Sequence, residues 1–310
     1  MHRVTVPGFV VACLLAAPSL PAQSSRGPTL SGVLQLREAY QADTGLTATV
    51  HLARLYVDGS LADHFTYRVS ADLVDGGSAT TSAGVSLKDA YVRWTPRPAW
   101  AVTVGQFKTP FSREYLLQPA ALETADRAAV AESLPPKRDI GVMAAYAWRS
   151  TATLSVGAFN GEGDNSVTNR DSTLLAVGRL AVHPADPVEI GANVAAYSSD
   201  STRYGVDGMI TSGSATARAE FIGQHHAAGG RNDVGWYVIA AYRVRPHVQL
   251  VLRQEDLRRP AVPEPRNIAT TAGTNLESGD HRVRLTLDYV SRQIGATRGG
   301  VMLAQLQLSF

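Results

Sequence analysis

The chain has 310 residues, 29 Lys and Arg against 27 Asp and Glu, and a formal net charge of +2. That balance argues against a nucleic-acid binder, which would concentrate a basic excess. Past the N-terminal stretch, no run reaches the ~18 apolar residues of a membrane helix.

In chain order, the first element is a leader. His2 and Arg3 precede an apolar run over 4–17, and Pro18-Ser19-Leu20-Pro21-Ala22 forms a small-residue exit. This pattern predicts a secretory signal over 1–22, cut after Ala22, and one mature domain over 23–310. Cys13, the only cysteine, sits inside the apolar run. The mature chain is therefore expected to have no disulfide and to hold together by hydrogen bonding and packing. Loss of Arg3 with the leader leaves 28 basic residues against 27 acidic ones.

From Leu30 onward, short runs alternate apolar and polar residues with a period of two, the pattern of strands with one apolar and one polar face. In the run 64–73, Phe65, Tyr67, Val69, Ala71 and Leu73 share one face; Thr66, Arg68, Ser70 and Asp72 share the other. Fifteen clear runs lie near 31–41, 47–59, 62–74, 85–95, 99–107, 139–148, 152–160, 173–183, 187–198, 203–211, 214–224, 234–244, 247–256, 281–290 and 300–310. Bacterial transmembrane barrels have an even number of strands, and the weaker run 267–276 supplies the sixteenth. Periodicity alone also fits a sandwich, whose apolar face a second sheet would cover. The leader, the missing cysteines and the final strand favour an all-β transmembrane antiparallel barrel. In that last strand Met302, Ala304, Leu306, Leu308 and Phe310 share one face. The breaks alternate between short turns, such as 96–98 and 149–151, and long loops, such as 75–83, 108–138 and 161–171. Short turns on one rim and long loops on the other are expected of such a barrel.

The stretch Leu87-Lys88-Asp89-Ala90-Tyr91-Val92-Arg93-Trp94, followed by Gly105-Gln106-Phe107-Lys108-Thr109-Pro110-Phe111, resembles the phosphate-selective porin O and P family. So do the return Arg138-Asp139-Ile140-Gly141-Val142, the early hairpin around Ala53–Leu61, and Phe159-Asn160-Gly161-Glu162-Gly163. The resemblance covers most of 47–165 and returns in the last strands. It implies a sixteen-stranded outer-membrane porin, a homotrimer, passing small anions or other small solutes. It also implies that Phe310 marks the chain for the barrel-assembly machinery. Members selective for phosphate use stacked inward arginines and loop lysines; here 108–139 balances Lys108, Arg113, Arg127, Lys137 and Arg138 against five acids.

Alternation points Arg37, Arg54, Arg68, Arg93, Arg218, Arg253, Arg282 and Arg284 into the lumen, among Asp58, Asp72, Asp89, Glu220, Glu255 and Asp288. Arginine suits an oxyanion path because its planar fork stays charged and binds oxyanions through paired hydrogen bonds. The competing role is to brace the wall against those acids. The loop 108–138 exceeds the usual length of a structureless connection and carries Leu116, Leu117, Ala120, Leu122, Val130 and Leu134. It is expected to fold inward and narrow the pore with Lys108, Arg113, Arg127, Lys137 and Arg138. Trp94, Trp100, Tyr146 and Trp148 flank short turns, as an interfacial girdle would.

No catalytic or cofactor motif stands out, and none is expected. His225-His226 lacks a metal-spaced partner, and Glu162, Asp164, Asn165 and Asp171 lack the ordered ligand loop of a calcium site. The expected function is passive diffusion of small hydrophilic solutes across the outer membrane, with a mild preference for anions such as phosphate. The alternative is a non-conducting structural or adhesive barrel.

Overall fold

The computed structural model describes residues 27–75, 84–166, 168–169, 172–197, 201–227, 229–230, 232–260, 262 and 266–310. The expected leader, with Cys13 and the cut after Ala22, lies outside them, as do 76–83 and Asp171.

Sixteen strands form one closed antiparallel barrel in which each strand pairs with its neighbours in sequence. They are β1 (Thr29–Gln41), β2 (Gly45–Ala62), β3 (Phe65–Asp75), β4 (Ser86–Arg97), β5 (Trp100–Lys108), β6 (Arg138–Trp148), β7 (Ala152–Phe159) and β8 (Leu175–Ala185). The second half comprises β9 (Val188–Tyr197), β10 (Ser201–Ser212), β11 (Ala215–His226), β12 (Asp233–Arg245), β13 (Val248–Arg258), β14 (Arg266–Glu277), β15 (Val283–Ile294) and β16 (Thr297–Ser309). The weak run over 267–276 is a full strand, β14. Antiparallel closure satisfies the backbone groups of every wall strand, which a lipid-facing structure requires.

Strand ends show where the period-two signal stops. β15 and β16 run on to Ile294 and Thr297, joined by a tight turn at Gly295 (φ 57°), whereas alternation ends near 290 and 300. Above the bilayer both faces meet water, so the apolar–polar contrast fades while the ladder continues. The seam joins β1 to β16: Gly32 and Phe310 exchange backbone hydrogen bonds of 2.9 and 3.1 Å. The Phe310 ring covers Gly32 so closely that a Cβ there would lie 2.4 Å from it.

The lipid-facing side is apolar, with Val104, Val156, Val206 and Leu252 each more than half exposed. Trp100 and Tyr146 meet at 4.7 Å between ring centres, and Tyr146 and Trp148 at 4.6 Å, beside the short turns of one rim. These rings lie on the outer face beside the turns, where a girdle would stand. The long connection between β5 and β6 lies on the opposite rim and folds into the barrel. It carries α1 (Arg113–Leu116), a 3₁₀ turn at Pro119–Ala121 and α2 (Ala129–Ser133).

Candidate pore constriction

The loop leaves β5 after Lys108, three residues past Gly105. Gly105 has φ +128°, and a Cβ there would lie 2.2 Å from the Ala90 carbonyl oxygen, so only glycine fits. The loop's neck is pinned shut: the Thr109 N–H donates to the Lys137 carbonyl (3.2 Å), and its hydroxyl donates to the Pro136 carbonyl (2.5 Å).

Beyond the neck the loop's apolar residues turn to the wall. Phe111, Ala128, Val130, Ala131 and Leu134 are buried, and they cluster with Ile222, Tyr237, Val251 and Leu257 on β11–β13. Burial of this size holds the loop inside, since each large side chain removed from water contributes roughly 1.5–3 kcal/mol.

Wall arginines then clamp the loop. Arg218 holds Glu123 at 2.7 and 3.0 Å. Arg253 donates to the Thr124 hydroxyl and the Asp126 carbonyl, both at 2.6 Å. Arg284 reaches the Ala120 and Leu122 carbonyls at 3.0 and 2.8 Å. Arg37 donates to the Ala125 carbonyl at 2.9 Å and pairs with Asp126 at 2.8 Å. From the loop itself, Arg113 reaches Glu189 at 2.6 Å and Asp207 at 2.8 Å. Loop N–H groups satisfy wall acids: Arg113 to Glu220, Ala125 to Asp288 and Ala129 to Glu255, at 3.1, 2.7 and 3.1 Å. Glu114, fully buried between Arg218 and Arg253, has its carboxyl pKa pushed up by burial, with both guanidinium groups opposing the shift.

The expected constriction residues therefore separate. Lys108 donates to the Tyr115 and Leu117 carbonyls, both at 2.7 Å, and lies over the Tyr115 ring. Arg127 donates to the Glu114 and Leu117 carbonyls and lies over the same ring. Both cap the end of α1 with charge-assisted bonds. Arg138 pairs with Asp89 at 2.9 Å on the inner wall. Lys137 is exposed and pairs with Glu132 at 3.0 Å.

Among the expected lumen arginines, Arg54 forms a two-pronged pair with buried Asp72 (2.5 and 2.8 Å), and Arg68 does so with Asp58 (2.7 and 3.0 Å). Arg93 is exposed near the short-turn end of β4. Arg282 departs from expectation. It lies in the turn before β15, largely exposed and 3.7 Å from Asp280. Alternation was extended two residues past the strand's start, so Arg282 lines no wall.

Sequence reading missed Arg179, which sits on β8 with Asp207 at 2.6 and 3.0 Å and also donates to the Asn193 side chain. Its position at inward parity between Val177 and Ala181 was the available signal. A register shift on β3–β4 also brings the successive residues Lys88 and Asp89 both inward, where strict alternation separates them.

The lumen is thus two-sided. On the β2–β6 side, Arg54 and Lys88 contact buried Asp72, Arg138 contacts buried Asp89, and Lys108 and Arg127 lie over the Tyr115 ring of the loop. Asp164 and Glu132 stand farther out, 3.8 Å from Lys88 and 3.7 Å from Arg127. On the β9–β15 side, Arg113, Arg218 and Arg253, joined by Arg179 of neighbouring β8, face Glu114, Glu123, Glu189, Asp207, Glu220, Glu255 and Asp288, carboxylates that touch the loop or belong to it. Against β6–β8 a cavity of about 220 Å³ remains beside the loop. It is lined by Lys108, Pro110, Leu116, Met143, Thr153, Ser155, Arg179 and Ala181, with no carboxylate among them.

Solved structures share this fold at low sequence identity. The anion-selective porin from Comamonas acidovorans superposes with a TM-score of 0.69 at 13% identity, over 92% of this chain and 99% of that one. The outer membrane channel DcaP of Acinetobacter baumannii gives 0.66 at 16% identity, over 91% and 97%. The in-vitro folded trimer form of OmpT, an outer membrane protein of Vibrio cholerae, gives 0.63 at 11% identity, over 92% and 100%. No curated protein sequence matches. Residues 32–221 match the family model for phosphate-selective porin O and P, and the chain belongs to that family of outer-membrane porins.

Proposed function

We propose that this porin passes small hydrophilic solutes by passive diffusion with a mild preference for anions such as phosphate, and that it works as a homotrimer in outer-membrane lipid. Family and fold point to a channel. The observation that carries the anion preference is the β2–β6 cluster, in which three cations, Arg54, Lys88 and Arg138, contact two buried carboxylates. Basic groups lining a pore lower the barrier for anions, while interspersed acids keep binding weak enough for release. The roles of the expected residues divide within this reading. Arg54 and Arg138 supply the field, Lys108 shapes the loop, and Arg127 shapes it while adding its charge. Arg113, Arg218, Arg253 and Arg284 hold the loop in place, and Lys137 lies at its exposed end. The anion-selective porin and the trimeric OmpT form support the two halves of the proposal by likeness of fold.

Two further expectations remain proposals: cleavage of 1–22, and recognition of Phe310 by the assembly machinery. The second agrees with the place of Phe310 on the seam. The deciding measurement is the reversal potential of refolded residues 23–310 in a planar bilayer under a KCl gradient, before and after phosphate is added. Discrete conductance with chloride preference, partly blocked by phosphate, is expected. A cation-leaning conductance overturns the anion reading and keeps the porin. Silence from a folded, heat-resistant barrel overturns conduction itself.

A further inference from the structure

One carboxylate faces the wrong solvent. Glu38 on β1 is exposed on the lipid-facing side, between inward Arg37 and Ala39. Across the ladder its neighbours are Ala48 on β2 and Ala304 on β16. The outward row above it is Met302, Tyr40 and Leu46, and the row below is Leu306, Leu36 and Val50. Glu38 therefore sits inside the apolar band, and no hydrogen bond or ion pair reaches it among the described residues. Other outward charges differ. Asp256 pairs with Arg258 and Arg266 near the long-loop rim, at 3.2 and 2.7 Å. On β9, by contrast, the outward positions are Val188, Ile190, Ala192, Val194 and Ala196.

A second polar spot lies on the same flank. Outward Thr270 on β14 donates to the side-chain oxygen of Gln254 on β13 at 2.5 Å, and the Gln254 amide donates only a long 3.4 Å bond to the Glu255 carbonyl. This pair has N–H capacity to spare. A shallow groove of about 410 Å³ runs from Glu38 over Met302, Ala304, Leu287 and Tyr289 to Ala272, two residues along β14 from Thr270.

Ring geometry relates the spots. In a closed ring of three, a subunit meets its two neighbours at points about 60° apart, which on a sixteen-stranded barrel is roughly two to three strands. Glu38 and Thr270 stand three strands apart, on β1 and β14. Their heights also agree. The ladder row through Glu38 runs back through Ala304, Leu287, Thr274 and Leu250 to Tyr242, from near the long-loop end of β1 to near the short-turn end of β12. With strands ~4.8 Å apart and tilted ~40°, such a row falls ~9 Å over three strands, which is about four residues along a strand. Four residues up β14 from Thr274 is Thr270.

We propose that the β14–β1 face is the contact between copies of this chain, and that Glu38 of one copy accepts hydrogen bonds from the Gln254–Thr270 pair of the next. The proposal rests on the trimer reading above and names the surface that reading leaves open. The groove between the spots then faces the three-fold axis. An acceptor without a donor meets donors without a full acceptor, so the carboxylate is satisfied inside the membrane only in the assembly.

The test is a disulfide. With Cys13 replaced by Ser, the full chain carrying Glu38→Cys and Thr270→Cys is oxidised in the membrane. Within one barrel these sites are three strands across and about four residues along, roughly 20 Å apart, beyond the ~7 Å reach of a disulfide. Any link is therefore between copies. Boiling-resistant species of two and three chains are expected, with none from either single variant or from Glu38→Cys paired with Ala192→Cys. Heat-dependent gel mobility confirms that each variant is a folded barrel. A folded trimer that the first pair fails to link overturns this face and keeps the trimer. A folded, conducting barrel that runs as a single chain overturns both.

Discussion

The two sides of the lumen use the same residue types for different ends. On the β9–β15 side, arginines and carboxylates are consumed by the loop: wall acids take its backbone N–H groups, and wall arginines take its carbonyls and Glu123. On the β2–β6 side, cations outnumber the buried acids they touch. The lesson is that a count of inward arginines says little about selectivity. What matters is whether each charge is spent on scaffold or left to act on solute.

The contrast can be broken hardest on the scaffold side. Arg253→Ala takes from buried Glu255 its guanidinium partner and from buried Glu114 one of two, a change worth roughly 3–5 kcal/mol. The loop is expected to detach, so single-channel conductance rises and becomes noisy while the heat-denaturation midpoint falls. Unchanged conductance from the folded variant would mean that the loop does not narrow the pore.

On the solute side, the comparison sharpens by pairing variants. Arg127→Gln removes a cation and no acid, and is expected to move the reversal potential toward the non-selective value. Arg138→Gln combined with Asp89→Asn removes one charge of each sign and is expected to leave it in place. Equal shifts from both would show that the field of the cluster is not what selects.

A smaller effect concerns Glu114, whose carboxyl binds its proton more tightly in the folded chain than the ordinary value of about 4.3. Folding is thus favoured by protonation. Stability from this group is present below the unfolded value and is lost as pH rises through the folded one. The heat-denaturation midpoint should therefore rise as pH falls across that window, and Glu114→Gln should flatten the dependence. The smallest expectation is Arg282→Glu, an exposed turn residue. It should change stability by no more than about 0.5 kcal/mol and leave the reversal potential unaltered.

Much of the wall was legible in the chain. Period-two alternation located fifteen strands, because the barrel wall separates lipid from water along its height, and the even-number rule picked out the weaker sixteenth, β14. Alternation failed where that separation fails: above the bilayer on β15 and β16, in the turn holding Arg282, and at the irregularity that turns Lys88 and Asp89 to the same side. The site was less legible for a different reason. Alternation assigns a side but no partner, and the partners of Arg37, Arg253 and Arg284 are loop carbonyls distant in sequence, which no local pattern encodes. The apolar content of 108–138 did reveal that the loop packs inward, since Val130 and Leu134 had to find cover.

The loop's contacts also bear on how the cylinder is made. Arg284 on β15 and Gln307 on β16 hold the Ala120 carbonyl from one side of the seam. Arg37 on β1 and the Tyr56 hydroxyl on β2 hold Ala125 and Gln118 from the other. One internal segment therefore grips the first and last strands together, tied to the rest of the wall through a pinned neck. Sealing the sheet and seating the loop become a single event, because the edges that must meet are both fastened to the same core. A cut in that segment would leave every strand intact and still loosen the clasp that draws the two edges together.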